Sequence, residues 1–533
     1  MIKKWHILHK PSENVVAVLL KNRGITDSEN FLHPKNPLEF TAKDVGIDPQ
    51  ALKKAIARIR KAIKDKESIV VYADYDADGI TAGAIMWETI HAMGGNVMPY
   101  IPHRVEEGYG LSIKGIDAVW EQYDPSLIIT VDHGITAREK VAYAKSLGID
   151  VIVTDHHVKP DKLPDCTIVH TTELCGAGVS WFVAKELDKP DIALVAIGTI
   201  ADMVSLTGAN RSIVKFGLQE LNKTKRVGLR ALLQDAGLTL GELTTYDVSH
   251  VLAPRLNAMG RLVHAMDALR LLCTHQKDKA ILLARKLGLT NKERQQLTVD
   301  TTSHALRGLS LKAQKKLIFI AHETYNQGVI GLVAGKLVEE YYRPAIVVAQ
   351  GPEVSKASAR SIPGFNIVEA IKHFSNLLVD VGGHPMAAGF TVETKNLDLL
   401  KSRMEAYAEK KLNDALLTRE LRIDMELPLA AVTNGLWQKL RDFEPFGFGS
   451  PEPVFATRDV IVDDVRLVGA DGKHLKFTIH NSQFTIPAIA FGMGNMYPGL
   501  KSGAVIDIAY TIDMNSWNGR KSLQLKLRDI MIQ

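Results

Sequence analysis

Acidic residues and histidines close three apolar runs in the first half of the chain: Asp74-Tyr75-Asp76-Ala77-Asp78-Gly79, Asp132-His133-Gly134 and Asp155-His156-His157. Carboxylates gathered at one place cannot all stay ionised unless a divalent cation lies between them or some take up protons. Oxygen ligands with an occasional imidazole favour Mg2+ or Mn2+ over metals that seek thiolates. A lone D-x-D is equally well explained by an N-cap or a turn, but three such ends in series point to a metal centre. Asp202, closing the apolar run 194–201, is a fourth candidate.

The runs before these residues must position them. Residues 68–73, 127–131 and 151–154 read as buried strands rich in β-branched side chains. In an open α/β sheet, ligands bind outside the carboxyl ends of the strands, so the three ends converge on one place. Residues 80–93 read as a helix closed by Gly94-Gly95. Its N-terminus, just after Asp78-Gly79, suits a bound phosphate, and Gly79 equally serves a tight strand-to-helix turn. Strands and helices alternate over 67–265, the pattern of a parallel sheet covered on both faces.

The rest of the chain divides by pattern. Residues 1–66 read as a helical extension with basic amphipathic stretches, 266–312 as one or two long linking helices, and 313–414 as a second α/β block. Over 418–533 the pattern changes to five short alternating strands, which fits an OB-type barrel that binds single strands by stacking bases in a basic groove. Lys473, Lys476, Trp517, Arg520 and Lys521 are candidates for that surface. The fold class expected is thus α/β, with a C-terminal all-β barrel.

Composition bounds the function. The 65 basic and 60 acidic residues leave a net charge of only +5, so a nucleic-acid track must be local. Cys166, Cys175 and Cys273 form neither a disulfide framework nor a paired zinc motif. The N-terminus lacks the apolar core of a signal peptide, and no segment reaches the roughly 20 apolar residues of a membrane span. A soluble cytoplasmic protein is expected. His322-Glu323 lacks the second histidine of a zinc-protease helix.

The segments D-Y-D-A-D-G, D-H-G-I, T-D-H-H and G-T-I-A-D-M-V resemble the first four motifs of the DHH phosphoesterase superfamily. Pro254-Arg255-Leu256-Asn257-Ala258-Met259-Gly260-Arg261, His322-Glu323 with Gln327-Gly328-Val329-Ile330-Gly331, Ser358-Ala359-Arg360-Ser361 and Gly382-Gly383-His384-Pro385-Met386-Ala387-Ala388-Gly389 narrow the resemblance to the RecJ exonucleases. So do Glu444-Pro445-Phe446-Gly447 and Gly472-Lys473-His474-Leu475-Lys476 in the barrel region. One departure is His133, where most of that family carries Asn. It would add an imidazole near the metals.

The resemblance implies a DHH domain, a DHH-associated domain and a substrate channel between them. It implies Asp76, Asp78, Asp132, His156 and Asp202 as ligands of one or two Mn2+ or Mg2+ ions, with Asp132 bridging. His157 would contact substrate or protonate the leaving oxygen, Asp155 would orient a ligand histidine, and Asp74 lies next to the cluster. Arg255, Asn257 and Arg261 would grip phosphates, Arg360, Ser361 and His384 would hold the 5′ end, and Arg104 would line the same path. The activity implied is 5′-to-3′ hydrolysis of single-stranded DNA to mononucleotides in recombination and repair, with a helicase and a single-strand-binding protein as partners. A channel enclosed by one chain suggests a monomer. The alternatives are a phosphodiesterase of short oligonucleotides or small nucleotides, which would not need the barrel, and a non-catalytic scaffold, which would have lost the carboxylates.

Overall fold

The computed structural model describes residues 3–104, 106–308, 315–517 and 520–533. Two compact units emerge, one of Asp48–Ala201 with Asn222–Arg419, the other of Met1–Ile47 with Asp202–Leu221 and Glu420–Gln533. Residues 309–314, where the linking helices were expected to meet the second α/β block, lie outside the described residues, as do the side chains of Trp517 and Arg520. Among the described residues no helix is long and apolar enough to cross a membrane.

The larger unit begins from a five-stranded parallel sheet in the order Asn96–Tyr100, Ser68–Ala73, Leu127–Val131, Asp150–Asp155, Thr167–His170. The three middle strands are almost wholly buried, which is why they read as unbroken aliphatic runs. On one face Val70, Tyr72, Ile128, Val151 and Val153 pack against Ile116, Val119, Val141 and Ala144. Each such large aliphatic contributes about 1.5–3 kcal/mol by leaving water. The helix Ala77–Ala92 packs against Gly176–Ala184 and Ile192–Ala201 and is buried nearly all round, so its sequence shows little amphipathic stripe.

The chain order reverses direction between Ser68–Ala73 and Leu127–Val131. That is the topological switch point, where an open sheet leaves a crevice. Ala73 pairs with Val131 and Val131 with Thr154, so Asp74, Asp132 and Asp155 each stand one step beyond the last rung shared by the three middle strands, Asp155 pairing on its other side with His170.

The helix Met266–Cys273 leads into Lys277–Gly308, whose 32 residues span about 48 Å. A second five-stranded sheet follows, ordered Leu378–His384, Ala387–Glu393, Val354–Arg360, Ala345–Ala349, Ile318–His322, with only the last pair parallel.

The smaller unit contains the barrel. Phe455–Val468, His474–His480, Thr485–Ala490, Arg520–Ile532 and Val505–Trp517 pair in that order, and pairing of the first with the last closes the ring. Several strands are longer than their alternation suggested. Phe455–Val468 shifts register twice and carries Asp459 and Asp464 at φ +55° and +60°, so bulges break the period of two that sequence reading relies on. Lys4–Ile7, in the segment read as a helical extension, is a strand parallel to Glu420–Ile423. Arg211 is fully buried and ties this unit together. Its guanidinium donates to the carbonyls of Phe31 (2.6 Å), Glu444 (2.9 Å), Asp442 and Pro445 (both 3.3 Å) and lies 3.8 Å over the Phe31 ring. Burial without a carboxylate lowers its pKa to about 10.

Candidate active site

The strand-end carboxylates do converge. One oxygen each from Asp74, Asp76 and Asp132 lies within 4.8 Å of the others, and Asp132, His156 and His157 form a second such group, so Asp132 belongs to both. Asp132 holds a φ of +69°, a strained conformation for a residue with a side chain. Two glycines make the approach feasible. A β-carbon on Gly79 would strike the Asp74 carbonyl at 2.6 Å, and one on Gly176 would meet Asp132 Oδ1 at 2.3 Å.

Several of these groups also build the site. Asp76 Oδ1 accepts the N–H groups of Asp78 and Gly79, both at 3.0 Å, and so caps the helix Ala77–Ala92. Asp78 accepts the N–H groups of Gly176 (2.6 Å) and Ala177 (2.9 Å), placing its charge at the N-terminus of Gly176–Ala184. Its Oδ2 is 4.0 Å from His156 Nε2, which stands 3.1 Å from Asp132 Oδ1. Asp202 follows directly on Ala201, the last residue of the helix Ile192–Ala201.

Asp155 orients His157. Its Oδ1 accepts from His157 Nδ1 at 2.8 Å and from the N–H groups of His156 (2.7 Å) and His157 (3.1 Å), while Oδ2 accepts from Ile135 N–H at 2.8 Å. Against the cost of burial, the His157 hydrogen bond and charge hold the Asp155 carboxyl below the usual range. With Nδ1–H committed to Asp155, neutral His157 presents Nε2 as an acceptor, and the Tyr109 hydroxyl stands 3.2 Å from it. Burial, and then the neighbouring Asp76, raise the Asp74 carboxyl; burial and Asp78 raise Asp76. Asp74 Oδ1 is buried with no hydrogen-bond partner among the described residues. An orphaned carboxylate oxygen amid mutually repelling carboxylates fits a hard divalent cation.

His133 is turned away from this chemistry. Its Nε2 lies 3.0 Å from the Tyr72 carbonyl of the adjacent strand, and it joins none of the metal-competent groups among the described residues. Burial lowers its pKa to about 4. The unfolded chain therefore takes up a proton near pH 6.5 that the folded protein resists until about pH 4, so stability falls with pH across that window. The loss amounts to about 3 kcal/mol. His133→Asn is expected to remove that part of the acid sensitivity, seen as a flatter dependence of urea-unfolding free energy on pH. Equal slopes in the two proteins would exclude it.

Positive charge gathers beside the carboxylates. Arg261 is lowered to about 10, first by burial and then by Arg104, Arg360 and Arg294, with Asp76 opposing. Its Nη1 donates to the Gly328 carbonyl at 3.2 Å, which ties it to the second lobe. Arg104 lies 5.0 Å over the Tyr75 ring. Arg360 donates to Ser358 Oγ (3.3 Å) and the Ala359 carbonyl (2.8 Å). Across the sheet Arg360 pairs with Ala387, and Ala387 with His384, so Arg360 and the exposed His384 share a face with a small residue between them.

Other expected substrate contacts have structural partners. Arg255 donates to the Val251 carbonyl at 3.0 Å and lies 3.8 Å from Asp235. Asn257 Oδ1 accepts the Ala77 N–H at 2.7 Å, at the start of the Asp78 helix. The Ser361 hydroxyl is buried and donates to the Phe365 carbonyl at 2.6 Å. Sequence reasoning missed Ser358, which alternation alone places on the face of Arg360, and Arg294, for which the long helix gave no signal.

A RecJ protein of Bacillus subtilis is 37% identical over 538 residues, covering 97% of this chain and 68% of that protein. The chain belongs to the RecJ family. RecJ of Thermus thermophilus is 34% identical over 498 residues, covering 90% of this chain and 71% of that one. The crystal structure of Thermus thermophilus RecJ with Mn2+ superposes with a TM-score of 0.84 at 29% identity, over 99% of this chain and 79% of that one, and the same protein has been solved with Mg2+. Residues 68–205 match the DHH family N-terminal domain, 314–410 the DHHA1 domain and 423–529 the RecJ OB domain. The α/β sheets and closed barrel expected from sequence are therefore those of RecJ proteins.

Proposed function

We propose that this RecJ-family chain is a metal-dependent exonuclease that degrades single-stranded DNA from its 5′ end to 5′-mononucleotides in recombination and repair. The observation that carries this reading is the apposition, in one compact unit, of a carboxylate and imidazole cluster with Arg261, whose basicity is lowered by burial and then by Arg104, Arg360 and Arg294. The first set suits a divalent cation and the second a phosphodiester.

Asp74, Asp76, Asp78, Asp132 and His156, with Asp202 next in the chain after its helix, would hold one or two Mn2+ or Mg2+ ions. When bound, such cations acidify water and neutralise charge on the phosphoryl oxygens. Arg261, Arg360 and Arg104 bind and orient the 5′-terminal phosphates through planar guanidinium forks. Ser358, hydrogen-bonded to Arg360, adds a hydroxyl to that grip. His157, fixed by Asp155 and stabilised by it when protonated, holds a proton at Nε2 for the leaving oxygen. No covalent enzyme intermediate is needed.

The barrel supplies a second grip on the strand. Arg466 pairs with Lys476, Lys476 with Ile489 and Ile489 with Lys526, which sets three cations in one row across four strands. Phe491, 49% exposed, lies beside them with Lys526 Nζ 5.8 Å from its ring centroid. Lys473 instead pairs with Asp471 at 2.7 Å. Replacing any one of the three cations by Gln is expected to reduce the slope of log affinity against log salt by about 0.7, the value for one phosphate contact on a single strand. Fluorescence anisotropy over a salt series measures it, and an unchanged slope in all three variants would remove this row from the interface.

Helicase and single-strand-binding partners, a cytoplasmic location and action as a monomer complete the reading. Substrate length tests it. Degradation of long single-stranded DNA to mononucleotides supports an exonuclease, whereas cleavage confined to di- to pentanucleotides would make the protein a small-substrate phosphodiesterase.

A further inference from the structure

The turn Gly447-Phe448-Gly449-Ser450 holds an aromatic ring that the barrel core does not use. Gly447 and Ser450 exchange both backbone hydrogen bonds, at 2.9 and 3.1 Å, and Gly449 takes a φ of +72°, so Phe448 occupies the tip of a tight turn. Turn tips usually carry Gly, Pro, Asn, Asp or Ser. Here a phenyl ring stands 61% exposed, with nothing gained by burial.

The turn has a firm support. The Leu206 N–H donates to the Phe448 carbonyl at 2.8 Å, and a β-carbon on Gly447 would come within 2.6 Å of the Leu206 side chain. That support is the segment leading away from Asp202, a candidate cation ligand four residues before Leu206. Met203, the residue after Asp202, is 64% exposed and holds a φ of +60°. Single exposed apolar side chains are ordinary on protein surfaces. An exposed aromatic clasped to the stretch of chain that follows Asp202 is not explained by packing.

We propose that Phe448 is a stacking platform for an unpaired base of the bound strand. The proposal rests on the single-strand exonuclease reading. Every base has a π-face, so a phenyl ring grips a strand without reading its sequence, as an enzyme that must accept each successive nucleotide requires. A paired and stacked base in a duplex offers no such face, so the platform also favours single strands.

Steady-state kinetics on a 5′-phosphorylated single-stranded oligonucleotide, with Phe448→Ala and Phe448→Trp beside the wild type, test the platform. Phe448→Ala is expected to raise KM about tenfold with kcat changed less than about twofold, and Phe448→Trp to keep the wild-type KM. In oligonucleotides with one abasic site at a time, a single position should raise the wild-type KM without further raising that of Phe448→Ala. An unchanged KM in Phe448→Ala, or abasic effects that add to the substitution at every position, would overturn the platform. If the wild type releases no nucleotide, the exonuclease reading fails by itself. The platform is then judged by equilibrium binding of the same oligonucleotides, where Phe448→Ala must weaken affinity about tenfold.

Discussion

Asp132→Asn is expected to lower kcat by at least about 10³-fold, several kcal/mol of transition-state stabilisation, while leaving the metal-free fold as stable as the wild type or more so. The two effects share a cause. Asp132 belongs to the group with Asp74 and Asp76 and to the group with His156 and His157, so its carboxylate links the two. It does this at φ +69°, where Asn is among the least strained side chains, and within 4.8 Å of the repelling carboxylates Asp74 and Asp76. Removing its charge relieves the repulsion that cations would otherwise screen. Turnover with Mn2+ at saturating DNA, together with thermal unfolding in EDTA, measures both effects. Activity within tenfold of wild type would mean that Asp132 is not a metal ligand.

Arg261→Ala is expected to lower kcat/KM about 10²-fold on 5′-phosphorylated single strands, about 3 kcal/mol for a partly desolvated charge-assisted contact. The loss on 5′-hydroxyl strands should be much smaller. Burial, and then Arg104, Arg360 and Arg294, lower Arg261 to about 10 against the opposing pull of Asp76. Such a cluster is stabilised by an anion. Removing one guanidinium eases the repulsion in the free protein, so its stability should change little. Equal losses on phosphorylated and hydroxyl ends would place Arg261 elsewhere on the strand.

The carboxylate cluster is legible in sequence because Asp74, Asp132 and Asp155 each close or follow an aliphatic run, and a buried parallel strand is nearly the only element that such a run can form. The crevice followed from the rule for parallel sheets. What stayed hidden were contacts between residues distant in sequence. Asp78 caps a helix that begins 98 residues later, at 2.6 Å from the Gly176 N–H. Asn257 Oδ1 reaches the Ala77 N–H across 180 residues. The motifs give Asp78 only as a metal ligand and Asn257 only as a phosphate contact. Ser361 was chosen by motif, yet its hydroxyl closes a local turn on Phe365, and Ser358 shares the Arg360 face. His133 looked like an added metal ligand because it follows Asp132, but adjacent residues at a strand end diverge, and its ring turns to the Tyr72 carbonyl. The strand Phe455–Val468 reads short in sequence because its alternation fails where Asp459 and Asp464 bulge.

The most direct test of the central claim is digestion of a long single-stranded DNA labelled at either its 5′ or its 3′ end, with Mn2+ or EDTA, by the wild type and Asp132→Asn. The account predicts immediate release of labelled mononucleotide from the 5′-labelled strand and gradual shortening of the 3′-labelled one, only with Mn2+ and only by the wild type. Release that begins at the 3′ end, persists in EDTA or survives Asp132→Asn would contradict it.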